Sequence, residues 1–249
     1  MDIFTLVLLV LVCIVASGIS ALLGLAGGTI ILTAFTFCFT LQQAVALHAA
    51  IQLISNASRI FLSLRQIRWA VAGWFGLLLL PFTYLGGLCF NLFNPDILEI
   101  CIALFIIFTL FLPKTFQNAP SQNWWLVFLG ALAGFLGMLV AATGPLISAF
   151  FNIKGLKKEA LVATKAVCQG LSQLAKIIIF SQAIDFPYLN FSTEILIFGV
   201  AVILGAYIGN YYLRRISDNS YDKVNRIVLF SVALLMIGRI GIKWLVVSG

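Results

Sequence analysis

The sequence predicts an all-α polytopic membrane protein built from two inverted-topology repeats, and three observations lead to this prediction. Of the 249 residues, 62% are hydrophobic and only 9% are charged, whereas soluble domains carry about 25% charged residues. Apolar runs of roughly 20 residues, the length of a membrane-spanning helix, recur along the chain. Finally, two of these stretches carry the same series of polar and basic side chains.

This repeated series forms what we call the two polar stripes. The stretch 156–182, predicted to be one helix, carries Lys165, Gln169, Ser172, Gln173 and Lys176. The stretch 43–64 carries His48, Gln52, Ser55, Asn56 and Arg59. At 3.6 residues per turn the members of each series fall on one helical face. Each member of the second stripe lies 117 positions after its counterpart in the first, which indicates an internal duplication.

The first repeat, residues 1–113, is predicted to open with a broken-helix hairpin. Apolar stretches at 3–23 and 29–39 flank a glycine-rich break at 24–28, and at about 1.5 Å per residue they are too long for one crossing. Such a break is tolerated in a bilayer where protein or a cavity satisfies the freed backbone groups. The alternative is a glycine-lined packing contact between helices. The remaining elements are the striped helix and two further spans, at 70–90 and 97–112.

A polar linker at 114–122 separates this repeat from the second, residues 123–249, within a single membrane domain. The second repeat is predicted to replay the first and so to contain a second break. Its elements are an apolar helix at 123–140, a break at 141–145, a short piece at 146–151, the striped helix, and spans at 193–213 and 224–246.

The basic loops set the predicted orientation, because positive residues stay in the cytoplasm. The cytoplasmic loops are then those with Arg65 and Arg68, with the lysines at 154–158, and with the basic residues at 214–226. The N-terminus and the loops around Asp96 and Asp185 fall outside. Each repeat comprises a hairpin that returns to its starting side plus three transmembrane helices, so the second repeat is inverted. This architecture is typical of secondary transporters.

In such folds the substrate binds near the midplane, where broken helices present N–H groups and dipole ends. The predicted substrate-binding residues are those of the two stripes together with Gly24, Gly27, Gly28, Thr29, Thr143 and Gly144. Neither stripe contains a carboxylate, and an unpaired buried charge costs several kcal/mol. An anion is therefore the expected ligand of Arg59, Lys165 and Lys176.

Structural alternatives exist for several stripe residues. Arg59 and Lys176 lie near enough to helix ends to extend toward the lipid head groups. Two pairs are the deepest members and would equally bridge helices, namely Gln52 with Gln169 and Ser55 with Ser172. His48, the single histidine, is either a proton relay near neutral pH or an ordinary packing residue.

Enzyme and nucleic-acid functions are disfavoured. The chain lacks a carboxylate pair at depth, a metal-ligand cluster and a phosphate-binding loop, so we expect no enzyme and no cofactor. The formal charge of +7 is explained by basic cytoplasmic loops and by an anion path, without a nucleic acid.

The motifs of the duplicated module resemble those of the sulfite exporter TauE/SafE family of membrane permeases. The break at 24–28 is similar to the family's glycine-rich GxGGG-like motif, with Ala26 replacing one glycine, and Ala44-Val45-Ala46 follows it. In the second half Gly144 and Pro145 remain of the motif, and Ala160 opens the helix. Thr33 stands where the family often has proline.

The resemblance implies passage of small sulfur-containing anions, such as sulfite, sulfoacetate or related sulfonates and carboxylates, across a cytoplasmic (inner) membrane. We expect a secondary transporter, working as an exporter by alternating access, with a proton or sodium as coupling ion and a homodimer as its assembly. Two alternatives are a non-transporting membrane partner or scaffold subunit, and an anion channel.

Overall fold

The structure, a computed structural model, describes residues 2–23, 27–90, 92–94, 97–98, 100–101, 104, 108, 122–141, 147, 158–213, 227, 230–231, 234 and 238. This part of the chain contains α-helices and short 3-10 helices but no strand. Its eight α-helices are α1 (Ile3–Leu23), α2 (Gly27–Cys38), α3 (Leu41–Leu62), α4 (Trp69–Gly76), α5 (Leu79–Phe90), α6 (Asn123–Val140), α7 (Lys158–Gln182) and α8 (Ser192–Leu213). Short 3-10 helices occupy Leu64–Gln66 and Tyr188–Phe191.

Several of these helices are suited to a bilayer. Within the described ranges, Ile3–Leu22, Leu41–Leu62 and Tyr188–Tyr212 are long and apolar enough to cross a membrane, and the bent pair α4–α5 gives a fourth span. These features confirm the predicted class, an all-α polytopic membrane protein. The inverted relation of the repeats and the domain bounds stay predictions, since residues 109–121 and most of 97–108, 142–157 and 214–249 lie outside the described residues.

Helix α3 starts two residues earlier than predicted because a capping box begins it. The Gln43 backbone N–H donates to Thr40 Oγ1 at 3.4 Å, and the Thr40 backbone N–H donates to Gln43 Oε1 at 3.1 Å. Reciprocal bonds of this kind satisfy two of the donors that a helix start leaves free. The capping box therefore fixes where the first polar stripe begins along the helix axis.

The span predicted at 70–90 is broken rather than straight. Helices α4 and α5 meet at Leu77–Leu78 and bend by 42°. Pro81 explains the bend, because its nitrogen has no hydrogen for the Leu77 carbonyl and its ring crowds that carbonyl.

Helices α1 and α2 pack side by side as an antiparallel hairpin. A Cβ added to Gly27, the first residue of α2, would lie 2.0 Å from the carbonyl oxygen of Ala16. Further along, Ile31 and Phe35 share a buried core with Cys13. Glycine at position 27 is thus required because the backbones of α1 and α2 are in contact there. For this residue the structure agrees with the alternative of a glycine-lined packing contact between helices.

The described helices form two groups that meet at α3 and α7. One group contains α1, α2, α3 and α8, and the other contains α4, α5, α6 and α7. Helix α8 of the second half packs on α1, and α4–α5 of the first half packs on α6. Each half thus packs one of its helical elements on the first helix of the other half. We call these two elements, α8 and the pair α4–α5, the exchanged arms.

Both exchanged arms make close backbone contacts through glycine. A Cβ at Gly209 of α8 would lie 2.1 Å from the Gly18 carbonyl oxygen of α1, and one at Gly130 of α6 would lie 1.8 Å from the Phe75 carbonyl oxygen of α4. Small residues permit such contacts between membrane helices. This packing places the striped helices α3 and α7 against each other at the centre.

Candidate functional site

The two polar stripes lie in the protein interior. Helices α3 and α7 pack on each other, and no stripe residue is more than 4% exposed. The alternative in which long basic side chains extend toward head groups is wrong, because Arg59 is 3% exposed and Lys176 is 1% exposed. The structure thus places the ten predicted stripe residues on buried faces of two helices that pack on each other.

Arg59 connects three helices. Its Nη1 donates to the Ser20 carbonyl oxygen in the last turn of α1 at 2.9 Å, and its Nη2 donates to Gln169 Oε1 of α7 at 2.8 Å. It also donates to Asn56 Oδ1, one turn earlier in α3. The last four carbonyls of a helix lack intrahelical partners and carry the negative end of its dipole, so the guanidinium stabilises the end of α1.

Lys176 has the equivalent place in the second half. Its Nζ donates to the Ala141 carbonyl oxygen at 2.8 Å. Ala141 is the C-cap of α6 and has a left-handed backbone, with φ of 54°, which is costly for a residue with a Cβ. Each of these two cations therefore lies at the C-terminal end of the first helix of its own half, α1 or α6.

The serine hydroxyls of the stripes donate to protein groups. Ser17 of α1 donates to the Val202 carbonyl oxygen of α8 at 2.7 Å, so Ser55 is the donor in its 2.8 Å contact with Ser17. Ser172 donates to the Cys168 carbonyl oxygen of its own helix at 2.9 Å. The helix-bridging alternative therefore holds for Ser55 but not for Ser172.

A different situation is found at the start of α2, where Gly28 faces the stripe of α3. A Cβ on Gly28 would lie 3.3 Å from His48 Nε2 and 3.4 Å from Gln52 Nε2. The His48 ring lies against the Gly28 backbone, and Gln52 Nε2 has no hydrogen-bond partner among the described residues although the side chain is buried. Thr29 is also buried beside them in the first turn of α2.

The remaining predicted site residues are distributed as follows. Lys165 is 4% exposed in α7, and no described carboxylate partners its ammonium group or that of Lys176. Gln173 is buried in the same helix. Gly24, Thr143 and Gly144 lie outside the described residues. The described part of the chain has no cluster of side chains that would hold a metal ion.

Sequence reasoning missed the groups that accept hydrogen bonds from the cations. The partners of Arg59 and Lys176 at the helix ends are backbone carbonyls, and a carbonyl has no signature in a sequence. A signal did exist for Ser17 and Ser20, two polar residues near the end of the apolar helix α1, and both are buried.

A second feature lies beside the N-terminal end of α7. A cavity of about 300 Å³ is lined by Arg65, Gln66, Arg68 and Glu159, among others. The Arg68 backbone N–H donates to Thr164 Oγ1 at 3.1 Å, which ties the α3–α4 connection to α7. This cavity lies in the loop region that the charge pattern places in the cytoplasm.

Comparison with known proteins gives one match. The family model described as sulfite exporter TauE/SafE matches residues 9–236, which include both polar stripes. Searches of curated proteins and of solved structures found no match.

Proposed function

The chain belongs to the sulfite exporter TauE/SafE family, and from this premise we propose that it exports a small sulfur-containing anion by alternating access. The family implies a multi-pass membrane transporter of the sulfite or sulfonate type and not an enzyme. The proposal adds the substrate range, which is sulfite, sulfoacetate or related sulfonates and carboxylates. It also adds the direction and the location in the cytoplasmic (inner) membrane.

The observation that carries the proposal is the burial of both polar stripes between α3 and α7. Basic side chains inside a membrane protein are expensive and mark substrate or ion pathways by default. Lys165 is the sharpest case, since its ammonium group is buried and has no carboxylate partner among the described residues. An anion between the stripes would supply the missing charge.

The exchanged arms support alternating access. Each helix group contains one striped helix together with an arm from the opposite half, so the two groups would rock about the α3–α7 contact as inverted repeats do. All stripe residues are shielded from solvent, which fits a state closed on both sides. The cavity beside Arg65 and Arg68 is a suitable cytoplasmic entrance, because basic residues raise the local anion concentration.

The partners in this proposal are the anion, the bilayer, a coupling ion and a second copy of the chain. The coupling ion is a proton or sodium, and His48 is the candidate proton carrier. Nucleic acid has no role. Flux driven by a pH gradient, compared with flux driven by a sodium gradient, tells the two coupling ions apart.

The test is sulfite flux into proteoliposomes for the wild type and for Lys165→Met. Methionine keeps the length and removes the charge, so the variant should be at least as stable as the wild type, since apolar residues often replace buried ions without loss. Its flux should fall at least about tenfold, as expected when one member of a buried charge pair is removed.

Three outcomes would contradict the proposal. Unchanged flux in folded Lys165→Met would show that this lysine does not bind the anion. No flux for sulfite, sulfoacetate or acetate would favour a partner subunit, and conduction far above a carrier's rate would favour a channel. An exposed glycine with open space around it, Gly73, gives the control variant Gly73→Ala, which should transport like the wild type.

A further inference from the structure

The cavity beside the N-terminal end of α7 has two walls that are fixed to each other. One wall is the connection between α3 and α4, residues 65–68, and the other is the first turn of α7. Thr164 Oγ1 accepts a hydrogen bond from the Arg68 backbone N–H at 3.1 Å and donates to the Ala160 carbonyl oxygen at 2.7 Å. Ile67 belongs to the same buried core as residues of α7. The cavity is therefore a preformed part of the fold.

This cavity lies where two candidate membrane spans end. Helix α3 is one of these spans and the bent pair α4–α5 is another, and the connection that lines the cavity joins them. Three large apolar side chains in or beside this connection are exposed, namely Phe61, Leu64 and Trp69. Exposed apolar side chains of a membrane protein contact lipid, and tryptophan is enriched at the level of the head groups. The cavity therefore lies at the membrane surface, beside the lipid head groups.

The charged side chains that line the cavity have opposite signs. Arg65 and Arg68 provide two guanidinium groups, and Glu159 provides one carboxylate. Among the described residues, none forms a hydrogen bond or an ion pair with these three side chains. A guanidinium binds a phosphate through two parallel hydrogen bonds, and a carboxylate accepts strong hydrogen bonds from an ammonium group. The set therefore fits a ligand that carries both a phosphate and an ammonium group.

We propose that this cavity binds the head group of a phospholipid that carries both groups, as phosphatidylethanolamine does. Arg65 and Arg68 hold the phosphate, and Glu159 accepts hydrogen bonds from the ammonium group. The cavity volume of about 300 Å³ is at the lower end of ligand sites, which measure roughly 300–1,000 Å³. Basic pockets between membrane helices on the cytoplasmic side bind lipid head groups in this way. The acyl chains lie along the exposed apolar side chains of the connection.

Glu159 determines which class of lipid fits the cavity. A head group that carries only negative charge places its phosphate beside this carboxylate, and like charges repel each other. A choline head group has a positive charge but no N–H group to donate to the carboxylate. An ethanolamine head group has both the positive charge and the N–H groups, so it is the expected ligand.

The head group occupies the cavity that we propose as the cytoplasmic entrance for the transported anion. Lipid and anion therefore compete for Arg65 and Arg68, and bound phosphatidylethanolamine slows the entry of the anion. This consequence rests on the proposed transport function, whereas binding of the lipid does not. Sulfite flux in vesicles of phosphatidylcholine should fall at least about twofold when half of that lipid is replaced by phosphatidylethanolamine. Equal flux in the two kinds of vesicle would overturn the competition.

The binding experiment is native mass spectrometry of the purified full chain with three phospholipids that share the same acyl chains. Their head groups are ethanolamine, choline and glycerol. The wild type should bind the ethanolamine lipid about tenfold more tightly than either of the others, which is the effect of one charged hydrogen bond. Glycerophosphoethanolamine, the same head group without acyl chains, should bind at least about tenfold more weakly than the lipid. Equally tight binding of this soluble compound would overturn the assignment to a lipid.

Three variants test the residues, and a fourth is the control. Arg65→Gln and Arg68→Gln should each weaken binding of the ethanolamine lipid about tenfold. Glu159→Gln should bind the ethanolamine and glycerol lipids with affinities within about threefold of each other. The matched control is Glu194→Gln, which changes a first-turn glutamate of α8 that does not line the cavity, and it should bind lipids like the wild type.

The three lining side chains are exposed or half-buried, so these variants should keep the Tm of the wild type. The inference is overturned if the wild type binds the three lipids equally, or if Arg65→Gln and Arg68→Gln bind the ethanolamine lipid like the wild type. An unchanged lipid preference in Glu159→Gln would overturn the role of the carboxylate. Absence of sulfite flux together with selective lipid binding would contradict the transport function and support the lipid site.

Discussion

The stripes of α3 and α7 have the same spacing and the same burial, yet their side chains have different partners. Gln52 of α3 has an amide nitrogen without a partner in the described part of the chain, whereas its counterpart Gln169 of α7 accepts a hydrogen bond from Arg59. At the first position of the stripe, His48 of α3 corresponds to Lys165 of α7. The two stripes thus agree in the position of their polar groups along the helix, while the bonds that these groups form differ.

The corresponding cations differ in the same way. Arg59 reaches α1 and α7 as well as its own helix, whereas Lys176 has one described partner, a carbonyl at the end of α6. A planar guanidinium offers five donors in a fixed fork, and an ammonium acts as a compact point charge. Arg59 therefore links the two halves of the chain, whereas Lys176 bonds within its own half, at the end of α6.

The largest expected difference between the two stripes is in stability. Arg59→Ala should lower the free energy of unfolding by about 3–5 kcal/mol, because it breaks a buried charged network. Lys176→Ala should cost about 1.5–3 kcal/mol, the range for one charged hydrogen bond. Thermal unfolding of the purified variants in one detergent measures both. Equal losses of stability in the two variants would show that the contact of Arg59 with the second half does not stabilise the protein.

A smaller difference is expected for the two glutamines. Gln169→Leu removes the acceptor of the Arg59 contact and should destabilise the protein by about 1–3 kcal/mol. Gln52→Leu removes an amide nitrogen without a partner and should leave stability unchanged or raise it, while sulfite flux falls. Tm and flux measured side by side check this pair. A lower Tm for Gln52→Leu than for Gln169→Leu would contradict the expected difference between the two glutamines.

The smallest expected effect concerns the end of α6. Ala141→Gly should raise the free energy of unfolding by roughly 1 kcal/mol, because glycine adopts a positive φ without strain. The control is Ala57→Gly, an exposed position inside α3, which should lose about 1 kcal/mol. Thermal unfolding compares the two. A loss of stability in both variants would show that the left-handed turn is not strained.

The helices and their inner faces could be predicted from the sequence because they follow from local rules. Apolar length gave α1 and α8 within one residue, and the 3.6-residue period identified the buried face of α3 and α7. The bend at Leu77–Leu78 was not predicted, because the length and apolar character of residues 70–90 indicate one straight span. The family resemblance, drawn from short glycine and alanine motifs, is confirmed by the match over residues 9–236.

The partners of the site residues could not be predicted, because they depend on where other helices end. Arg59 and Lys176 were expected to bind an anion, since no carboxylate accompanies them in their stripes. The carbonyls that receive them belong to Ser20 and Ala141, more than 30 residues away along the chain. The contact between Gly28 and the pair of His48 and Gln52 likewise exists only after α2 folds back onto α3.

The most direct test is an electron cryomicroscopy structure of the protein with selenite, a heavier analogue of sulfite, to locate the bound anion. The account predicts density for the ion between α3 and α7, next to Lys165, with Arg59 and Lys176 still at the ends of α1 and α6. Density for the ion away from Lys165, outside the contact between α3 and α7, would contradict it.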